Sequence, residues 1–248
     1  MKYLLLLVLL CADSFAVEER LCPKEFITGF ETLDGWKDDS AVGSPHSYNI
    51  ENDVLRMTTR PETRDRVKLS TSQRFGSGRY TWRVYVPTMG VGDQASVGAF
   101  LYHDDKHEVD FEIGYGTAAV REKLNAQETD LVCYCTCQAY PYSSSQILIT
   151  REAWYNLSMD ITYSKKNNYL VTWFVNDRQV KQLQTRFGDE ITFTVHCSVE
   201  NLTFMGDHLP TQENYALFDA VEVKPYGKKQ KRHPCLFNNA ARMPRLRF

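Results

Sequence analysis

Along most of this 248-residue chain, apolar and polar positions alternate one for one. That period of two is the mark of a β-strand with one covered and one open face. Twelve stretches carry it: Val54–Thr58, Arg66–Ser70, Arg79–Val86, Ala95–His103, His107–Tyr115, Asp130–Cys137, Gln146–Thr150, Tyr155–Tyr163, Tyr169–Val175, Gln179–Leu183, Ile191–Val199 and Leu217–Lys224. Turn residues separate them, as in Gly76-Ser77-Gly78, Pro87 to Gly92, Asp104-Asp105-Lys106, Lys166-Asn167-Asn168 and Asn176-Asp177. No long helical period, internal repeat or low-complexity stretch interrupts the pattern, apart from a basic tail. A dozen short strands joined by small turns predict a two-sheet sandwich or a barrel. The longest excursion, Gly114 to Gln127, leaves directly from one strand and is expected to wall a site.

That strand carries the most informative chemistry. From His107 to Gly116 it reads His-Glu-Val-Asp-Phe-Glu-Ile-Gly-Tyr-Gly. Glu108, Asp110 and Glu112 share one face, and Val109, Phe111 and Ile113 share the other. Three adjacent carboxylates repel one another, a cost that points to a use. They read as a carboxylate catalytic site, with an acidic outer face or a cation site as the alternatives.

The chain opens Met-Lys-Tyr, runs through Leu4 to Leu10, and reaches Ser14-Phe15-Ala16. This pattern predicts a secretory signal peptide over residues 1–16, too short to span a bilayer. A secreted, extracellular or periplasmic protein is expected, without a transmembrane segment. The roughly 230 residues that remain suit one all-β domain over 17–226. Residues 227–248, with seven Lys and Arg and no acid, are expected to form a basic, flexible tail. Against a formal total of −2, that tail leaves the body near −9, which argues against a nucleic-acid partner. Past residue 16 the chain holds Cys22, Cys133, Cys135, Cys137, Cys197 and Cys235, an even count that permits up to three disulfides. Cys133, Cys135 and Cys137 would point side by side from one strand face, so their partners are expected elsewhere, and Cys22 with Cys235 would tie the ends. Cys-x-Cys-x-Cys lacks the usual zinc knuckle spacing.

Glu108-Val-Asp110-Phe-Glu112 resembles the Glu-x-Asp-x-Glu signature of glycoside hydrolase family 16, the laminarinases, lichenases and xyloglucan endotransglycosylases. Neighbouring segments are similar in the same order: Phe75 to Pro87, Val97 to Tyr102, Trp154 to Asp177 and Ala216 to Tyr226. The resemblance covers about residues 26–226. It implies a β-jelly-roll sandwich of two antiparallel sheets with a concave substrate cleft, the concanavalin A-like lectin/glucanase fold. It further implies a retaining endo-glycosidase, with Glu108 as nucleophile, Asp110 as its electrostatic neighbour and Glu112 as general acid/base. The uninterrupted triplet leans toward lichenases and transglycosylases. Leu101, Asn201-Leu202-Thr203 and Thr81 depart from the family's cleft tryptophans and a lichenase glutamate.

Candidate sugar contacts are Trp82, Tyr102, Tyr115, Tyr134 and Trp173, because flat rings stack on sugar faces, although core packing is the competing role for each. Arg83 is a candidate contact to sugar or to a cleft carboxylate, and His196 either reaches the cleft or sits satisfied in the core. His103, Asp104, Asp105 and His107 read as a charged hairpin turn. Asn156-Leu-Ser158 and Asn201-Leu-Thr203 match the glycosylation acceptor pattern. No cofactor is expected; a structural calcium occurs in relatives, but no ligand set is legible here. The expected partner is a β-linked polysaccharide acted on by a monomer, with a transglycosylase or a non-catalytic lectin as the alternative functions.

Overall fold

The computed structural model describes residues 24–164 and 166–227. Its strands are β1 Phe26–Thr28, β2 Trp36–Asp38, β3 Tyr48–Glu51, β4 Val54–Thr59, β5 Arg66–Thr71, β6 Gly78–Val86, β7 Ala95–Asp104 and β8 His107–Gly114. After the one helix among the described residues, α1 Ala118–Leu124, come β9 Asp130–Cys137, β10 Ser143–Thr150, β11 Ala153–Tyr163, β12 Asn168–Val175, β13 Arg178–Gly188, β14 Thr194–Asn201 and β15 Asn214–Pro225. One sheet runs β13-β12-β11-β6-β15-β4-β3, with β1 also paired to β15; the other runs β10-β9-β8-β7-β14-β5-β2. Every pairing within them is antiparallel. This is the jelly-roll sandwich that the motif resemblance implied, and of the sandwich and the barrel that the alternating pattern left open it is the sandwich.

All twelve predicted strands form. The short β1, β2 and β3 went unpredicted because three or four residues hold too little alternation to stand out. The core forms where the inner faces meet. Tyr80, Trp82, Val84 and Val86 of β6 face Val97, Ala99 and Leu101 of β7 and Val109, Phe111 and Ile113 of β8, all buried. The intervening side chains of each strand then face outward, which places Glu108, Asp110 and Glu112 together on the open face of the second sheet.

Cys133, Cys135, Cys137 and Cys197 are buried and free. They occupy the apolar positions of β9 and β14 and behave as small core side chains, so the disulfides expected of them do not form. The signal peptide, Cys11, Cys22, Cys235 and the tail from residue 228 lie outside the described residues. No helix among the described residues is long and apolar enough to cross a membrane.

The Gly114–Gln127 excursion does not wall a cleft. It holds α1, capped by Thr117 and closed by Arg121, whose guanidinium donates to the carbonyls of Tyr115, Gln127 and Asp130. Val120 and Leu124 pack on Val132, Tyr134, Leu202 and Met205. The excursion thus supports the loop after β14 from behind.

Candidate active site

Cross-strand register explains how the groove is assembled. One row across the open face runs Thr136, Asp110, Phe100, His196, Ser70; the next runs Tyr134, Glu112, Gly98, Ser198, Lys68. Gly98 is the gap in the second row. A Cβ there would lie 2.3 Å from Ser198 Oγ, so the missing side chain keeps the floor open between β8 and β14. The resulting cavity, about 360 Å³, is lined by Glu108 and Glu112 together with Phe100, Tyr102, Asp105, His196, Glu200, Arg66, Lys68 and Asp39. Leu202 and Phe204 close one end.

The carboxylates load one another. Asp110 is 1% exposed, and its proton affinity rises well above the ordinary range through burial first and then through Glu108 and Glu112. Gln138 Nε2 donates to Asp110 Oδ2 at 3.2 Å. Glu112 is pushed up to about 8, by burial and then by Glu200 and Glu108. Glu108 is pushed up to about 7 by burial, with the neighbouring Asp110 and the charge of Lys68 pulling the other way. Asp110 Oδ1 is buried without a hydrogen-bond partner, as suits a carboxyl that burial keeps protonated. Acids on one strand and cations three strands away are what a site holding one ionised and one protonated glutamate requires.

Glu200 escaped the sequence reading. It is a buried carboxylate on β14, raised by that burial and lowered by Lys68, by its hydrogen bond with Ser198 and by Arg66. Arg66 Nε and Lys68 Nζ stand 3.9 and 4.0 Å from its Oε2. The signal was available: Ser198 and Glu200 alternate with Val199, as Arg66 and Lys68 alternate with Val67, but nothing in the sequence says that these two strands neighbour each other.

Of the predicted sugar contacts, Tyr102 and His196 line the groove. Tyr102 donates to Asp105 Oδ1 at 2.8 Å, and His196 stacks on Phe100 with 4.5 Å between centroids. Tyr134 is on the same face beside Glu112, buried under Phe204, with its hydroxyl unpaired. The others are corrections. Trp82 and Trp173 are fully buried between the sheets, where their Nε1–H groups donate to the carbonyls of His196 and Asp110 at 3.0 Å. Both rings therefore hold the floor of the groove from beneath instead of stacking on a ligand. Arg83 is on the outer face of the other sheet, against Asp219 at 3.4 Å and over the ring of Trp154, because the neighbouring Trp82 takes the inner face of β6. Tyr115 is buried beneath the guanidinium of Arg121, 3.7 Å from its centroid. Leu101 points into the core, and the groove aromatics are its neighbours Phe100 and Tyr102.

Asp104 organises the hairpin turn, accepting from Lys106 N at 2.9 Å and contacting His107 Nδ1 at 2.8 Å. Among the described residues, no group of three or more His, Cys, Asp and Glu side chains is placed to hold a metal ion. Asn201 is buried and donates to the carbonyls of Arg60 and Thr63, which leaves no room for a glycan in the folded chain.

No family model and no curated protein matches this chain. Solved structures do. The Crh5 transglycosylase in complex with NAG is similar at TM-score 0.62 and 15% identity, over 84% of this chain and 86% of that one. The β-glucanase of Bacillus licheniformis gives 0.57 and 13%, over 81% and 98%. The catalytic domain of an endo-1,3-beta-glucanase (laminarinase) from Thermotoga petrophila gives 0.59 and 13%, over 80% and 95%. These are the kinds of enzyme that the motifs resemble. At such identities the likeness establishes the fold and leaves the reaction to be argued from the site.

Proposed function

We propose that the chain is a secreted, monomeric, retaining endo-glycosidase of β-linked polysaccharide, acting by double displacement. The observation that carries this reading is the carboxylate triplet of β8 on the floor of an open groove, with one glutamate pressed toward protonation and the other flanked by an aspartate that burial keeps protonated. In the first step Glu112 gives its proton to the glycosidic oxygen as Glu108 attacks the anomeric carbon and the leaving sugar departs. In the second step Glu112 takes a proton from water, which attacks the same carbon and frees Glu108. Asp110 holds Glu108 in place and steadies its charge as the bond to sugar breaks. Entry of a sugar hydroxyl in place of water makes the same site a transglycosylase, a reading that the uninterrupted triplet allows as readily as hydrolysis. A non-catalytic carbohydrate-binding role draws on a different observation: with Trp82 and Trp173 in the core, stacking falls to Phe100, Tyr102 and Phe204.

The test is product analysis across β-glucans, xyloglucan and chitin–glucan with wild type, Glu108→Gln and Glu112→Gln. Each variant keeps size while removing one carboxyl, so turnover should fall by at least about a thousand-fold with the fold intact. The wild-type rate should need Glu108 ionised and Glu112 protonated, which places the optimum between about 7 and about 8. Wild-type rates in both variants would refute the assignment. Binding without cleavage of any polymer would favour the lectin.

A further inference from the structure

The groove has a second half, built by β14, β5 and the residues after β2, that the triplet chemistry does not use. Its centre is His196, 2% exposed and held flat against Phe100. The proton positions on this ring follow from its neighbours. Thr194 Oγ1 lies 3.1 Å from the carbonyl oxygen of Tyr102, a contact that only the hydroxyl proton can make. The same Oγ1 lies 2.8 Å from His196 Nε2. With its single proton committed, Thr194 must accept there, so Nε2 carries the ring hydrogen. Burial, followed by Lys68 and Arg74, holds the ring neutral down to about pH 3. Nδ1 is therefore a bare acceptor. It is buried without a hydrogen-bond partner, and the Asp39 carboxylate stands over it with Oδ2 at 3.6 Å. Two acceptors face each other with no proton between them, an arrangement that a donor would relieve.

The charges around this pair narrow the kind of donor. Asp39, Asp105, Glu108, Glu112 and Glu200 line the groove, against Arg66 and Lys68 alone. The two cations stand too far from Glu200 to hydrogen-bond it. Asp39 has no Lys or Arg partner among the described residues, and its half-exposed side chain is free to swing. A sugar hydroxyl brings one proton and no charge. An ammonium brings three N–H donors and the positive charge that Asp39 lacks.

We propose, on the basis of the glycosidase reading above, that this half of the groove is a subsite for a protonated amino sugar, held between Asp39 and His196 with Glu200 facing it. The favoured polymer then carries free amino groups, whereas an N-acetylated or plain glucan lacks the charge the subsite answers.

The test compares three ligands of one shape: the β-1,4-linked glucosamine tetramer, the glucose tetramer, which differs only at the C2 substituent, and the fully N-acetylated tetramer. Calorimetric titration of the full chain, with Glu112→Gln to prevent turnover, is run just below neutral pH at low and high salt. The amine tetramer is expected to bind about ten-fold tighter than the glucose tetramer at low salt. That gap should shrink with salt and in Asp39→Asn, a surface change that spares the core. Equal or weaker binding of the amine tetramer would overturn the proposal, as would a preference that Asp39→Asn leaves unaltered. Turnover by the wild type separates the two readings. Cleavage of neutral glucan without any amine preference refutes the subsite alone; amine-selective binding without cleavage of any polymer refutes the glycosidase alone.

Discussion

Replacing Glu112 by Gln should remove activity and at the same time make the folded chain more stable at slightly alkaline pH. Glu112 rises from an ordinary 4.5 to about 8, chiefly through burial and then through Glu200 and Glu108. Below the ordinary carboxylate pKa both the folded and unfolded chains hold the proton. Above it the unfolded chain releases the proton first, so stability falls as pH climbs from about 4.5 and levels off beyond about 8. At about 1.4 kcal/mol per unit, the whole shift amounts to about 4–5 kcal/mol. The coupling with Glu108 and Glu200 spreads part of that over the cluster, leaving a gain on the order of 3 kcal/mol for Glu112→Gln at the alkaline end. For a domain of this size that is a melting-temperature rise of roughly 6–12 °C. Differential scanning calorimetry of wild type and variant from mildly acidic to mildly alkaline pH measures it, with urea denaturation as the check. The curves should meet at the acid end and separate as pH rises. A wild-type stability flat across that range, with a variant no more stable than the wild type, would refute the argument that burial and neighbouring acids load this carboxyl.

Gly98→Ala should cost about 1–3 kcal/mol in urea denaturation and lower turnover, since the added Cβ meets Ser198 Oγ; Ser198→Gly in the same chain should restore both. Trp173→Phe should destabilise by about 1–3 kcal/mol because the Asp110 carbonyl loses its 3.0 Å donor. Its KM should stay the same, and a raised KM would show that the ring meets substrate after all. Cys133, Cys135, Cys137 and Cys197 should resist alkylation in the native chain and label fully in denaturant, as read peptide by peptide by mass spectrometry.

Much of this protein was decided by residue order alone. Strict alternation marks a strand without reference to any neighbour, because successive side chains leave a β-strand on opposite faces wherever it lies in the sheet. That made the twelve longer strands legible, and it placed Glu108, Asp110 and Glu112 on one face, since a single strand is enough to determine it. The same local rule contains the buried thiols, whose alternation in β9 fits core positions as well as it fits disulfide partners; only the sheet packed over them shows which.

What needed the tertiary structure was the identity of the two faces and of the neighbours across them. Trp82 and Arg83 are adjacent, and sequence cannot tell which of them looks inward; the packing of β6 against the other sheet buries the tryptophan and sends the arginine to the outer surface. Glu200, Lys68, His196 and Asp39 come from three separate stretches and meet the acids of β8 only because β7, β14 and β5 lie side by side in that order. Strand order is set by long-range burial and hydrogen-bond pairing across more than a hundred residues of chain, so no local pattern could carry it. The triplet was written in one strand, and the groove that gives it a substrate was written in the pairing of four.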